Sequence, residues 1–269
     1  MTPLLTTVNR QLTAVVDTHA HLDDARFASD LDGVLLRARQ AGVGRIICVG
    51  TDLASSRRCI GLAARFPERI RASVGIHPNY WAQAEEDDWP QIEELAARRE
   101  AVAVGESGLD FHYAYTPREA QAEALRLHLR LARRVGKPLI IHARQADDEV
   151  LSLLREEPPA PDGVRHCFDR PLAAAEGYLA MGYHVAVGAA ATRPGYVKFK
   201  QAIAALPADR LLLETDCPYQ SPAARAGSRN EPAFIVDTLN AVAALREAPP
   251  EAIADLTTSN AIALFGLSA

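Results

Sequence analysis

Short runs of apolar, β-branched residues alternate with longer stretches rich in alanine, leucine and arginine, and this alternation narrows the fold more than any other feature. The runs lie at 14–17, 45–49, 71–76, 101–105, 138–141, 164–167, 183–187 and 210–213. Their starts recur at intervals of about 28 residues, near the roughly 30 that a strand, its crossover helix and two loops require. The stretches between have helical spacing. In 31–41, Leu31, Val34, Leu35 and Ala38 share one face, Asp30 stands where an N-cap would be and Gly42 follows as a stop. In 119–135, Ala122, Leu125, Leu129 and Ala132 form a stripe that Gly136 ends, after a Thr116-Pro117-x-Glu119 start. Eight strand–helix repeats predict an α/β protein, a single closed parallel (β/α)8 TIM barrel. An open doubly wound sheet is the alternative, weakened by the lack of GxGxxG after the first strand.

The length suits one barrel of about 250 residues: residues 14–269 as the barrel, residues 1–13 as an N-terminal extension. The prolines at 158, 159 and 161 read as a surface loop, and 221–232 as a long loop after the eighth strand. No apolar run reaches the roughly 20 residues of a membrane span. The start does not read as a signal peptide. The four cysteines form no CxxC pair, so a cytoplasmic location is expected rather than a disulfide framework. No membrane and no obligate protein partner is expected. A net charge of −5 argues against a protein that coats nucleic acid by bulk electrostatics.

In such a barrel the chemistry stands at the C-terminal strand ends. Here the first strand runs into Asp17-Thr18-His19-Ala20-His21, the fourth into Glu106, the fifth into His142, the sixth into His166 and the eighth into Glu214-Thr215-Asp216. Strand side chains alternate faces, so His19 and His21 point the same way and can chelate one ion. Glu106 can bridge two ions through its two oxygens. His142 and His166 can complete the second, and Asp216, next to the first strand in a closed barrel, can join the first. Imidazole with carboxylate suits divalent ions such as zinc, manganese or magnesium; the expected number is two, within a range of one to three. Asp17 and Glu214, one layer deeper, are either acceptors for the imidazole N–H groups or ordinary buried hydrogen-bond partners. Cys167 is expected to face the helix layer. His112, His128 and His184 are assigned structural roles.

At these residues the chain resembles the TatD-like metal-dependent hydrolases over about residues 15–266. The resemblance rests on VVDTHAHLDD, the VGIHP turn at 74–78, VGESGLDF at 104–111, KPLIIHAR at 137–144, RHCF at 165–168, LLETDCPY at 212–219 and RNEP at 229–232, in that order. It implies a TIM barrel, a divalent-metal site on His19, His21, Glu106, His142, His166 and Asp216, and hydrolysis of phosphodiesters in DNA, as a 3′→5′ exonuclease with RNA as a further substrate. Family members commonly read GEIGLDY where this chain has GESGLDF. They have Ser or Thr then Gly where Asp169-Arg170 stand here, which alters a loop at the mouth. Related barrels bridge two ions with a carboxylated lysine on the fourth strand. The three lysines, Lys137, Lys198 and Lys200, are all misplaced for that.

The expected mechanism is attack by a metal-activated water, with Glu106 holding the ions together and Asp216 as general base or as ligand only. His77 is a candidate phosphate contact or proton donor, or a turn histidine. Arg144 is a candidate phosphate clamp through its planar fork, or a surface arginine. Asn230 and Arg229 are further substrate-binding candidates. The rival readings are a D-aminoacyl-tRNA deacylase or small ester or amide hydrolase on the same metals, and a non-catalytic binding barrel.

Overall fold

The computed structural model describes residues 14–113, 115–157 and 162–268. The expected N-terminal extension and the prolines at 158, 159 and 161 lie outside the described residues. Eight strands follow in chain order: β1 (Val15–Ala20), β2 (Val43–Val49), β3 (Ile70–Val74), β4 (Ala101–Asp110), β5 (Leu139–Arg144), β6 (Gly163–Arg165), β7 (His184–Val187) and β8 (Leu211–Leu213). Each pairs in parallel with the next. The ring closes just beyond β8. There Ala20 bridges Cys217 in parallel, Asp216 N–H donates to the His19 carbonyl at 2.8 Å and His21 N–H to the Cys217 carbonyl at 2.7 Å. The sheet is therefore a barrel and not an open doubly wound sheet.

Between the strands run α1 (Leu31–Gln40), α2 (Leu53–Arg65), α3 (Asp88–Ala97), α4 (Arg118–Val135), α5 (Asp147–Glu156), α6 (Leu172–Ala180) and α7 (Val197–Ala205), and the chain ends in α8 (Ile235–Leu245) and α9 (Pro250–Phe265). In α4, Ala124, Leu125, Leu129 and Ala132 are buried, each leucine contributing roughly 1.5–3 kcal/mol of burial. Gly136 ends that helix with φ 65°, a left-handed conformation open to glycine at little cost. Asp30 stands at the α1 N-cap without capping it. Its carboxylate instead pairs with Arg229 at 2.8 Å and Arg37 at 3.2 Å.

Alternation along buried parallel strands produces two apolar layers. One lies between strands and helices. The other fills the barrel with Val16, Ile47, Val49, Ala103, Ile140, Val164, Ala186 and Leu212, which pack against Ala261, Leu264, Phe265 and Leu267 at the end of the chain. His184 opens β7 and is buried, as the sequence suggests. With the interior filled by side chains, polar groups are left to gather at the C-terminal mouth.

Candidate metal centre

The mouth is an open cleft of about 1420 Å³. Six described non-glycine residues have left-handed backbone, and five of them line the cleft: Gln145, Cys167, Tyr196, Asp216 and Gln220. Such conformations are costly and gather at functional sites. Strands β6 and β8 end at Arg165 and Leu213, so His166 and Asp216 sit on irregular backbone just past them. This corrects the placement of Cys167. Strand alternation stops before it, φ is 48°, and the residue lines the cleft rather than facing the helices. Its sulfur accepts from Gln220 Nε2 at 2.8 Å.

Glu106 stands at the centre, buried, between two glycines that its backbone requires. Gly105 has φ 123° and Gly108 φ 151°. A Cβ on Gly108 would fall 1.8 Å from the His142 carbonyl oxygen, and one on Gly105 2.6 Å from that of Ile140, so no side chain fits at either position. Its two oxygens face different partners. Oε1 lies 2.7 Å from His166 Nε2, 2.9 Å from His142 Nδ1 and 3.7 Å from His77 Nε2. Oε2 lies 3.4 Å from His19 Nε2 and 4.0 Å from His21 Nε2. Asp216 Oδ1 completes this second group, 3.4 Å from His21 Nε2 and 3.9 Å from His19 Nε2. The six expected ligands thus converge, divided by one carboxylate into two sets.

Hydrogen bonds outside the cluster fix which nitrogen faces in. His21 Nδ1 is 2.9 Å from the Val49 carbonyl, an acceptor only, so its proton lies there and Nε2 is free to ligate. His142 Nε2 is 3.2 Å from Asp110 Oδ2, which leaves Nδ1 toward Glu106. His166 presents Nδ1 to Glu214 Oε1 at 3.6 Å, an ion-pair approach, and Nε2 to Glu106. Glu214 Oε1 also accepts the Cys167 N–H at 2.5 Å. In His77, Nδ1 accepts the Asn79 N–H at 3.1 Å. Burial, with His142 adjacent, lowers its pKa to about 3, so the neutral ring keeps its proton on Nε2, which faces the cleft.

Inward lone pairs on neighbouring imidazoles repel unless a cation lies among them, and here His19 and His21 Nε2 are 3.3 Å apart, as are His142 Nδ1 and His166 Nε2. The electrostatics point the same way. Burial pushes the His166 pKa down, but Glu106 and Glu214 more than reverse this, to about 10. Burial likewise lowers that of His21, and Asp216 and Glu106 raise it to about 9. Burial pushes Glu106 up, yet His166, His77 and His19 hold it well below the ordinary carboxylate range. A cluster that demands positive charge and sets imidazole nitrogen beside carboxylate oxygen fits divalent metal, which would take the place of the ring protons.

Other expected site residues fall elsewhere. Asp17 is no acceptor for an imidazole. Its oxygens take the Thr215 N–H at 2.9 Å and the Thr215 hydroxyl at 2.6 Å, which ties β1 to the segment carrying Asp216. Burial lifts its pKa to about 7, against these bonds. Asn230 is fully buried, with Nδ2 donating to the Thr215 and Tyr219 carbonyls and Oδ1 accepting the Glu231 N–H. It shapes the loop after β8 and does not reach the cleft. Arg229 is spent on Asp30. Arg144 does line the cleft, exposed, with its guanidinium 5.0 Å from the Tyr113 ring centre. Asp169 and Arg170 also line it. His128 is structural, accepting the Ile76 N–H at 2.9 Å and facing the Ala124 carbonyl at 2.7 Å; it anchors the turn that carries His77.

Sequence reasoning missed Asp110 and Asn79. Asp110 Oδ2 receives Asn79 Nδ2 at 3.1 Å besides facing His142, and Oδ1 accepts the backbone N–H groups of His112 and Tyr113. Burial raises the Asp110 pKa, but His142 and these N–H groups hold it well below the usual range. Replacing Asp110 with asparagine keeps an oxygen for those amides but removes the charge behind His142. Metal affinity should fall about 10- to 100-fold, measured by competition with a chelator. Unchanged affinity would remove Asp110 from the centre.

The chain is similar to known proteins along nearly its whole length. A family model described as TatD related DNase matches residues 16–266. The uncharacterized metal-dependent hydrolase YabD of Bacillus subtilis is 37% identical, over 94% of this chain and 99% of that one. A protein of Erwinia billingiae named 3′-5′ ssDNA/RNA exonuclease TatD is 34% identical, over 94% and 99%. The crystal structure of YjjV, a TatD homolog from Escherichia coli, superposes with a TM-score of 0.90 at 33% identity, over 96% and 100%.

Proposed function

The chain belongs to the TatD-related DNase family of metal-dependent hydrolases, and from that premise we propose that the mouth cluster holds two divalent ions and hydrolyses phosphodiesters in single-stranded DNA or RNA from the 3′ end. The observation that carries this reading is the division at Glu106, with Oε2 toward His19, His21 and Asp216 and Oε1 toward His142 and His166. When bound, the ions supply Lewis-acid polarisation of the phosphate and acidify an attacking water.

The chain's own groups position the reactants around them. Asp216 is held at φ 55° with Oδ2 2.9 Å from Gln220 Nε2. That fixed carboxylate orients the water and takes its proton as the new oxygen–phosphorus bond forms and the phosphorus–oxygen bond to the leaving sugar breaks, the leaving alkoxide taking a proton from solvent at the open mouth. Burial raises its pKa, but His21 and His19 bring it below the ordinary value, so the proton passes readily to solvent at the open mouth. His77 presents Nε2–H toward Glu106 and so toward a phosphate oxygen seated there. Arg144 offers a planar fork at the rim. Arg144→Ala should raise KM for an oligonucleotide about tenfold and leave kcat within about threefold, the signature of lost uniform binding. An unchanged KM would remove the clamp.

A substrate panel on metal-reconstituted protein tests the activity: a single-stranded oligonucleotide, a bis-aryl phosphodiester and an aminoacyl ester. The two phosphodiesters should turn over, with mononucleotides released from the 3′ end of the oligonucleotide. Turnover of the aminoacyl ester alone would replace this reading with a deacylase. No turnover and no retained metal would leave a binding barrel.

A further inference from the structure

Five of the seven tyrosines are exposed, and all five line the mouth: Tyr80, Tyr113, Tyr115, Tyr196 and Tyr219. The other two, Tyr178 and Tyr183, are buried. Aromatic rings left open to water around one cleft mark a surface that receives something. Two of them are already arranged to stack. Tyr113 and Tyr115 lie with ring centres 5.3 Å apart and planes 13° from parallel, and Tyr115 is 63% exposed. Arg144 lies against the Tyr113 ring, and among the described residues no carboxylate pairs with it.

The position of the pair is set by the metal centre itself. Asp110 Oδ1 accepts the Tyr113 N–H at 3.1 Å, while Oδ2 of the same carboxylate faces His142 Nε2 at 3.2 Å. One side chain thus fixes both a candidate metal ligand and the start of the aromatic platform. His142, Tyr113 and Tyr115 line the same cleft.

We propose that Tyr113 and Tyr115 form a base-stacking subsite for the nucleotide adjoining the scissile phosphate, with Arg144 beside it on the backbone; the proposal rests on the phosphodiesterase reading above. Every base has a face to offer such a ring, so the subsite is tolerant of sequence. A duplex keeps those faces against one another, so the subsite selects unpaired strands. It thereby supplies, by stacking, the binding that the acidic net charge of −5 does not supply by electrostatics.

The test compares octamers of thymidylate with octamers of the same length built from abasic sugar phosphate. Binding to manganese-loaded protein is measured by anisotropy with labelled phosphorothioate forms that resist cleavage, and turnover with ordinary phosphodiester forms. Stacking is worth about 1–3 kcal/mol per base, so the wild type should bind the thymidylate octamer about 5- to 150-fold more tightly. The double variant Tyr113→Ala/Tyr115→Ala should lose that preference while its affinity for the abasic octamer stays within about twofold. The double variant Tyr113→Phe/Tyr115→Phe should keep it, because the ring and not the hydroxyl stacks. Equal wild-type affinity for the two octamers overturns the subsite, as does an equal fall for both in the alanine variant. A wild type that prefers bases in binding yet cleaves neither octamer upholds the subsite and overturns the phosphodiesterase reading instead.

Discussion

Replacing Glu106 with alanine is expected to abolish phosphodiester hydrolysis, by at least about 10³-fold in kcat/KM, which is roughly 4 kcal/mol of lost transition-state stabilisation. The reason lies in the division of its oxygens. His142 and His166 lie nearest Oε1, at 2.9 and 2.7 Å, and His19 lies nearest Oε2, at 3.4 Å. Without the carboxylate the two sets lose their shared anion, and five neighbouring imidazoles, His77 included, lose the charge that offsets their mutual repulsion. Metal content should fall together with rate. Gly105 and Gly108 set the local backbone independently of the side chain, so the barrel itself should persist, which circular dichroism and thermal unfolding would check. A variant with near-normal kcat/KM would overturn the bridging role.

The second large effect is expected at Asp216. Asp216→Asn should lower kcat about 10²- to 10⁴-fold, the range for loss of a positioned acid–base group. Asparagine tolerates left-handed backbone well, so the φ of 55° should survive, as should a contact with Gln220. Thr215 stays tied to Asp17, so the loop remains in place. Folding is thereby separated from chemistry, and oligonucleotide turnover at saturating substrate reads the difference. A kcat within about threefold of wild type would show that Asp216 neither takes the proton nor holds the water.

Much of this was legible in the sequence, for identifiable reasons. The eight strands are buried on both faces, so they stand out as apolar runs, and the helix stripes between them repeat at a length only a few folds accept. The six convergent ligands were legible because strand ends in a barrel share one level. Geometry at the rim was not. Alternation assigns Cys167 to the helix layer, but β6 ends at Arg165 and the left-handed turn after it brings the sulfur to the cleft. Asn230 reads as a substrate contact by its motif, yet its amide is consumed by backbone carbonyls. Asp17 shares sequence parity with His19, but its oxygens accept from the Thr215 N–H and hydroxyl instead of an imidazole. Asp110 lay within a recognised motif with no visible role, because its value comes from linking His142, Asn79 and the Tyr113 loop across about 30 residues of chain. The tyrosine platform depends on loop conformation, which residue spacing does not encode.

The central claim is that one carboxylate divides the mouth into two metal positions. Anomalous diffraction from manganese-soaked crystals tests it most directly. Two peaks are expected, about 3.5–4 Å apart as in two-metal hydrolases, one among His19, His21 and Asp216 and the other between His142 and His166, with Glu106 touching both. A single peak away from Glu106, or none in the mouth, would contradict the account.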